Sequence, residues 1–102
     1  MSTINVAGVA IDTRHYINGQ RVGSSETYTN TSPIDGTFLG EISRGTEKEA
    51  DLAVQAARAA FPKWARMGAK KRGELLIRLA ELVEENIEVL SNIETMDNGS
   101  LL

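Results

Sequence analysis

The chain has no cysteine, one histidine, two prolines and few aromatic residues. Without cysteine it can form no disulfide framework, no thiolate zinc site and no thiol nucleophile, and it suits a reducing compartment. The single histidine, His15, has no second ligand type at metal spacing, so a structural place in a strand is expected. A stretch of about 20 apolar residues, the length needed to span a bilayer, is also missing. The apolar run from Ile4 to Ile11 is interrupted by Gly8 and has no basic leader. Fourteen acidic residues against eleven basic ones give a net charge of −3, so a nucleic-acid partner is not expected. Lys70-Lys71-Arg72 lies beside Glu74 without interleaved aromatics and reads as a solvated helix face. No serine stands in a Gly-x-Ser-x-Gly elbow, which leaves a serine hydrolase without support. The default is a cytoplasmic protein with no membrane contact.

What is present changes character part-way along. Residues 1–13 read as a flexible, poorly anchored lead-in. Asn18-Gly19 stands between two short strand-like runs, and that dipeptide favours the positive φ values of a type I′ hairpin. Thr27 to Thr31 and Thr37 to Ser43 have strand composition, and the turn-forming Ser32-Pro33-Ile34-Asp35-Gly36 joins them. The first half is thus expected to be a small antiparallel ribbon.

At Thr46 the period becomes helical. Thr46-Glu47-Lys48-Glu49 is a capping box, with Thr46 as N-cap. Ala50, Ala53, Val54, Ala57, Ala60 and Phe61 then recur on one face, and Pro62 is expected to end the helix. Trp64 should fall in the connection and, with Phe61, plug the meeting of two helices. A second helix is expected from about Lys70 to Glu85, where Leu75, Leu76, Leu79, Ala80, Leu82 and Val83 make a broad apolar face. A third follows, capped by Asn86, with Ile87, Leu90 and Ile93 as its buried line and Gly99 just past its end.

Five pieces in register resemble the opening of the NAD(P)-dependent aldehyde dehydrogenases. They are Tyr16-Ile17-Asn18-Gly19; Ser32-Pro33-x-Asp35-Gly36; the Ala50 to Trp64 pattern; Arg72-x-x-Leu75-Leu76-x-x-Leu79-Ala80; and Glu94-Thr95-Met96-Asp97-Asn98-Gly99. The resemblance covers residues 14–102. It implies an α/β fold in which these hairpins and three helices flank a Rossmann-like cofactor domain. It also implies a longer, homo-oligomeric enzyme that oxidises an aldehyde to a carboxylic acid through a cysteine thiohemiacetal, with NAD or NADP as cofactor. The resemblance places the family's catalytic residues and nucleotide loop beyond Leu102, so this chain alone is expected to bind no cofactor and to be inactive, its partner being the remainder of the enzyme or another subunit. The family follows Asp-Asn-Gly with Lys-Pro, whereas this chain has Ser100-Leu101-Leu102, as expected of a truncated sequence.

Asp97 is the polar residue that asks for a partner, because it sits at the carboxyl end of a helix where the macrodipole disfavours negative charge. The resemblance implies a structural monovalent cation held between Asp97 and backbone oxygens around Thr31. The plainer alternative is a local turn in which Asp97 bonds the Asn98 or Gly99 amide. For the whole chain, the rival to an enzyme segment is a non-catalytic assembly module whose helix faces dock on another protein.

Overall fold

The computed structural model describes residues 2–100 as three antiparallel hairpins followed by three helices, the mixed α/β order the sequence implies. Strand β1 (Thr3–Val6) pairs with β2 (Val9–Asp12), β3 (His15–Ile17) with β4 (Gln20–Val22), and β5 (Glu26–Thr31) with β6 (Phe38–Arg44). Each pair is its own two-stranded sheet: the two hairpins expected from residue 14 onward are present, and residues 3–12 add a third. In the β3–β4 turn Asn18 (φ 53°) and Gly19 (φ 76°) take the left-handed geometry of a type I′ hairpin, and Ile17–Gln20 closes the ladder.

The first hairpin corrects the reading of residues 1–13 as a flexible lead-in. Ala7 (φ 51°) and Gly8 (φ 80°) make a two-residue left-handed turn, and the Gly8 amide donates to Asn5 Oδ1 at 3.2 Å. An alanine in that conformation costs roughly 1–2 kcal/mol, so Ala-Gly does not announce a turn as Asn-Gly does. Packing supplies the compensation. Val6 is buried, the Thr13 amide donates to the Ser2 carbonyl at 2.8 Å, and the Ser43 amide of β6 donates to the Thr13 carbonyl at 3.1 Å.

Hairpin one lies directly on β6 because Gly40 has no side chain. A Cβ there would stand 2.5 Å from Ile4 Cγ2 and 2.8 Å from Ile4 Cδ1. Gly40→Ala is therefore expected to lift β1 off β6 and to cost about 1–3 kcal/mol in urea denaturation. Adding Ile4→Ala should recover part of that loss; equal stabilities for the wild type and Gly40→Ala would show that the close approach does not exist.

Helix α1 (Glu47–Arg66) starts at Thr46, as the capping box requires. The Thr46 amide and hydroxyl both donate to Glu49 Oε1, at 3.2 and 2.8 Å, and the Glu49 side chain is buried. Those bonds, the hydroxyl's first, hold its carboxyl below the ordinary glutamate range. Pro62 does not end the helix. The chain stays helical to Arg66, taking in Trp64, and Met67 closes it through its amide to the Lys63 and Trp64 carbonyls. Proline removes only its own donor and crowds one carbonyl, a penalty that a twenty-residue helix absorbs in its last turns. Nor do Phe61 and Trp64 form a plug, since both are exposed.

Helix α2 (Ala69–Glu85) passes almost directly into α3 (Ile87–Asn98). Asn86 occupies the junction, but its side chain serves the end of α2, its Nδ2 donating to the Leu82 carbonyl at 2.8 Å, and gives α3 no cap. Gly99 stops α3 as anticipated, at φ 78° with its amide donating to the Thr95 carbonyl at 2.8 Å.

The contacts between elements are sparse: β1 rests on β6, β3 on α1, and α2 on α3. Among the described residues only Val6 and Leu39 are buried apolar side chains. The broad face of α2 is turned to solvent from Leu75 through Val83; of the expected inner line of α3, Ile87 and Leu90 are exposed and Ile93 is half-buried, lining a cavity with Ile4, Val6 and Leu39. No helix among the described residues is long and apolar enough to cross a membrane.

Candidate functional site

The densest polar junction lies where the end of α3 meets β5 and the Ser-Pro turn. Ser32 is the most deeply buried of the described residues and organises that turn. Its amide donates to the Thr37 carbonyl and its carbonyl accepts from the Gly36 amide, both at 2.8 Å. Its Oγ also accepts from the Ile34 amide at 3.3 Å. Asp35 Oδ1 ties the far side of the turn by accepting from the Thr37 hydroxyl at 2.6 Å and the Thr37 amide at 3.0 Å, which lowers its carboxyl from the usual range. Against this rigid turn α3 places Gly99, where a Cβ would come within 3.2 Å of Pro33.

Asp97 finds its donor across this junction. Asn30 Nδ2 donates to Asp97 Oδ1 at 2.8 Å, joining β5 to the last turn of α3 over a separation of 67 residues. The local role weighed for Asp97 falls to its neighbour instead: the Ser100 amide donates to Asn98 Oδ1 at 2.7 Å, and Asn98 Nδ2 donates to Glu94. Thr31 is exposed, next to the residue that makes the contact. The partner of Asp97 is thus Asn30, a residue the sequence reading does not name. Asparagine is disfavoured in strands, which marks Asn30 as an unusual residue of β5, but nothing local in the sequence names its partner. Among the described residues no cluster of three or more His, Cys, Asp or Glu could hold a metal ion. Asp97 and Thr31 alone fall short of the oxygen shell of a hard cation.

A second, shallower hollow lies between β3 and the start of α1, lined by His15, Ile17, Gly45, Thr46, Glu49 and Ala53. His15 is half-buried with its Nε2 covered and unpartnered, beside Gly45, which matches the structural role expected of it.

Residues 21–102 match the model of the aldehyde dehydrogenase family. The chain belongs to that family. The mitochondrial 10-formyltetrahydrofolate dehydrogenase of Mus musculus is 42% identical over 102 residues, covering 96% of this chain and 11% of that protein. The 5-carboxymethyl-2-hydroxymuconate semialdehyde dehydrogenase of Escherichia coli is 38% identical over 85 residues, covering 83% of this chain and 18% of the enzyme. In three dimensions the chain is similar to PnpE, solved in complex with nicotinamide adenine dinucleotide, with a TM-score of 0.79 at 38% identity, over 82% of this chain and 18% of that one. The chain spans between a tenth and a fifth of the length of these three proteins.

A dinucleotide finds no crevice among the described residues of this aldehyde dehydrogenase segment. Every described strand belongs to an antiparallel hairpin, so the crevice at the carboxyl ends of parallel strands, where such a cofactor sits, is not formed by the described residues. The amino end of α1, which could attract a phosphate, is taken by the Glu49 carboxylate.

Proposed function

We propose that this chain is the amino-terminal framing segment of an NAD(P)-dependent aldehyde dehydrogenase that oxidises an aldehyde to a carboxylic acid through a cysteine thiohemiacetal. The observation that carries the reading is the family match over residues 21–102 in a chain with no cysteine and no dinucleotide crevice among its described residues. The chemistry then belongs to the remainder of the enzyme, and these residues supply scaffold. The exposed faces of α2 and α3 support that division, because they are broad enough to receive a further layer. The test is made on the longer protein. Purified whole, it should reduce NAD or NADP when given aldehydes, and replacing its reactive cysteine should abolish the signal; a full-length protein inert toward a broad aldehyde panel overturns the assignment.

Within that enzyme, Asp97 and Thr31 contribute to a structural monovalent-cation site, completed by oxygen donors from elsewhere in the protein. Support comes from Asp97 being fixed one residue from Thr31, with one carboxylate oxygen bonded to Asn30 and the other uncommitted among the described residues. Replacing sodium and potassium by a bulky quaternary ammonium ion is expected to lower the melting temperature of the full-length enzyme by a few degrees. In Asp97→Asn the difference between the two salts should vanish. Equal melting temperatures in both salts for the wild type would remove the cation.

A further inference from the structure

Two asparagines in the chain precede glycine, Asn18 and Asn98, and the fold treats them differently. An asparagine followed by glycine is exposed to attack by its own backbone, because glycine has no Cβ to shield the next amide nitrogen. The reaction needs the side-chain carbonyl carbon and that nitrogen to meet, so whatever holds either of them apart blocks it.

Asn98 is held at both ends. Its Nδ2 donates to Glu94, its Oδ1 accepts from Ser100, and the Gly99 nitrogen is committed to the Thr95 carbonyl at 2.8 Å. Attack there requires breaking the last turn of α3 and both side-chain bonds. Asn18 is exposed at the tip of the β3–β4 hairpin. The closing pair of its ladder is Ile17–Gln20, which leaves the Gly19 amide outside the ladder, and among the described residues no side chain bonds either Asn18 or Gly19. Only three residue pairs hold that hairpin, so it opens at low cost.

We infer that Asn18 is a site of spontaneous deamidation and that α3 protects Asn98. The Gly19 nitrogen forms a bond to Asn18 Cγ, the Cγ–Nδ2 bond breaks, and ammonia leaves carrying the amide proton. Water then adds across one of the two imide C–N bonds. Opening at Cγ gives aspartate; opening at the backbone carbonyl gives isoaspartate, with the side-chain carbon now in the main chain. No oxidant or reductant takes part, and the product is one unit more negative than the starting net charge of −3. The isoaspartyl product matters for the fold, because an extra main-chain carbon does not fit a two-residue type I′ turn. The same strand places Tyr16 and Ile17 along the alanine stripe of α1, at Ala53, Ala57 and Ala60, so a shifted turn loosens that contact.

The experiment is incubation of the 102-residue chain at mildly alkaline pH, in buffer and in parallel in concentrated urea, followed by tryptic mass mapping. Cleavage after Arg14, Arg21 and Arg78 puts Asn18 in the peptide 15–21 and Asn98 in the peptide 79–102. In buffer, amide-to-acid conversion at Asn18 should run about tenfold faster than at Asn98, the ratio given by roughly 1.4 kcal/mol of difference in opening cost. In urea the two rates should converge, and isoaspartyl methyltransferase should label the peptide 15–21. Asn98 reacting as fast as Asn18 in buffer overturns the inference, as does an unreactive Asn18. A rate difference that persists unchanged in urea also overturns it, because the neighbouring sequence and not the fold would then set the order.

Discussion

Purified alone, the 102-residue chain is expected to produce no NADH or NADPH above the buffer blank with any aldehyde, a complete loss relative to a full-length aldehyde dehydrogenase. The reason is stoichiometric before it is structural. Aldehyde oxidation through a thiohemiacetal needs a thiolate, and there is no cysteine to ionise. A thiol added by mutation would still lack a hydride acceptor, because the described strands form no parallel crevice for a dinucleotide. The assay is absorbance at the reduced-nicotinamide band, run with the full-length protein as the positive control. Turnover by the short chain, proportional to its concentration and surviving repurification, would sink the division of labour between this segment and the rest of the enzyme.

Local chemistry was legible in the sequence wherever one residue type has one physical reason to stand in one place. Asn18-Gly19 gave its turn, Thr46 and Glu49 the start of α1, and Gly99 the end of α3, each because a specific backbone geometry or orphan amide demands that side chain. What stayed hidden was decided by contacts between distant residues. The Ala7-Gly8 turn is paid for by packing on β6 through Gly40, a contact that pairs residues 4 and 40 and leaves no local trace. Pro62 does not stop α1, since proline removes one donor and crowds one carbonyl while the turns before it are already formed. Asp97 draws notice in the sequence through the unfavourable dipole at its position. Its partner, Asn30, lies 67 residues away, and strand register rather than spacing brings the two together. The apolar pattern identified the helices but not whether anything covers them, because periodicity reports which residues share a face and nothing about the other side of it.

That uncovered surface leads to the second large effect. The accessible surface is 7746 Å², against about 5,700 Å² for a compact monomer of this mass. The radius of gyration is 16.6 Å, against about 13 Å for a compact domain of this length. The excess, about 2,000 Å², is of the size buried by permanent interfaces. Much of it is apolar: Leu76, Ile77 and Leu79 on α2 are 59%, 62% and 57% exposed. In isolation the chain is expected to bind a hydrophobic dye strongly and to sediment as larger than a monomer. Leu79→Ala separates this from ordinary instability by its opposite consequences in two settings. In the short chain, where the side chain meets solvent, it should weaken dye binding and self-association while helix content by circular dichroism stays level. If the proposed further layer covers that face in the full-length enzyme, the same change there should cost about 2–5 kcal/mol, as truncation of a buried leucine does. A short chain that sediments as a compact monomer without binding dye, or a full-length Leu79→Ala protein as stable as its parent, would mean that α2 faces water in the finished enzyme as well.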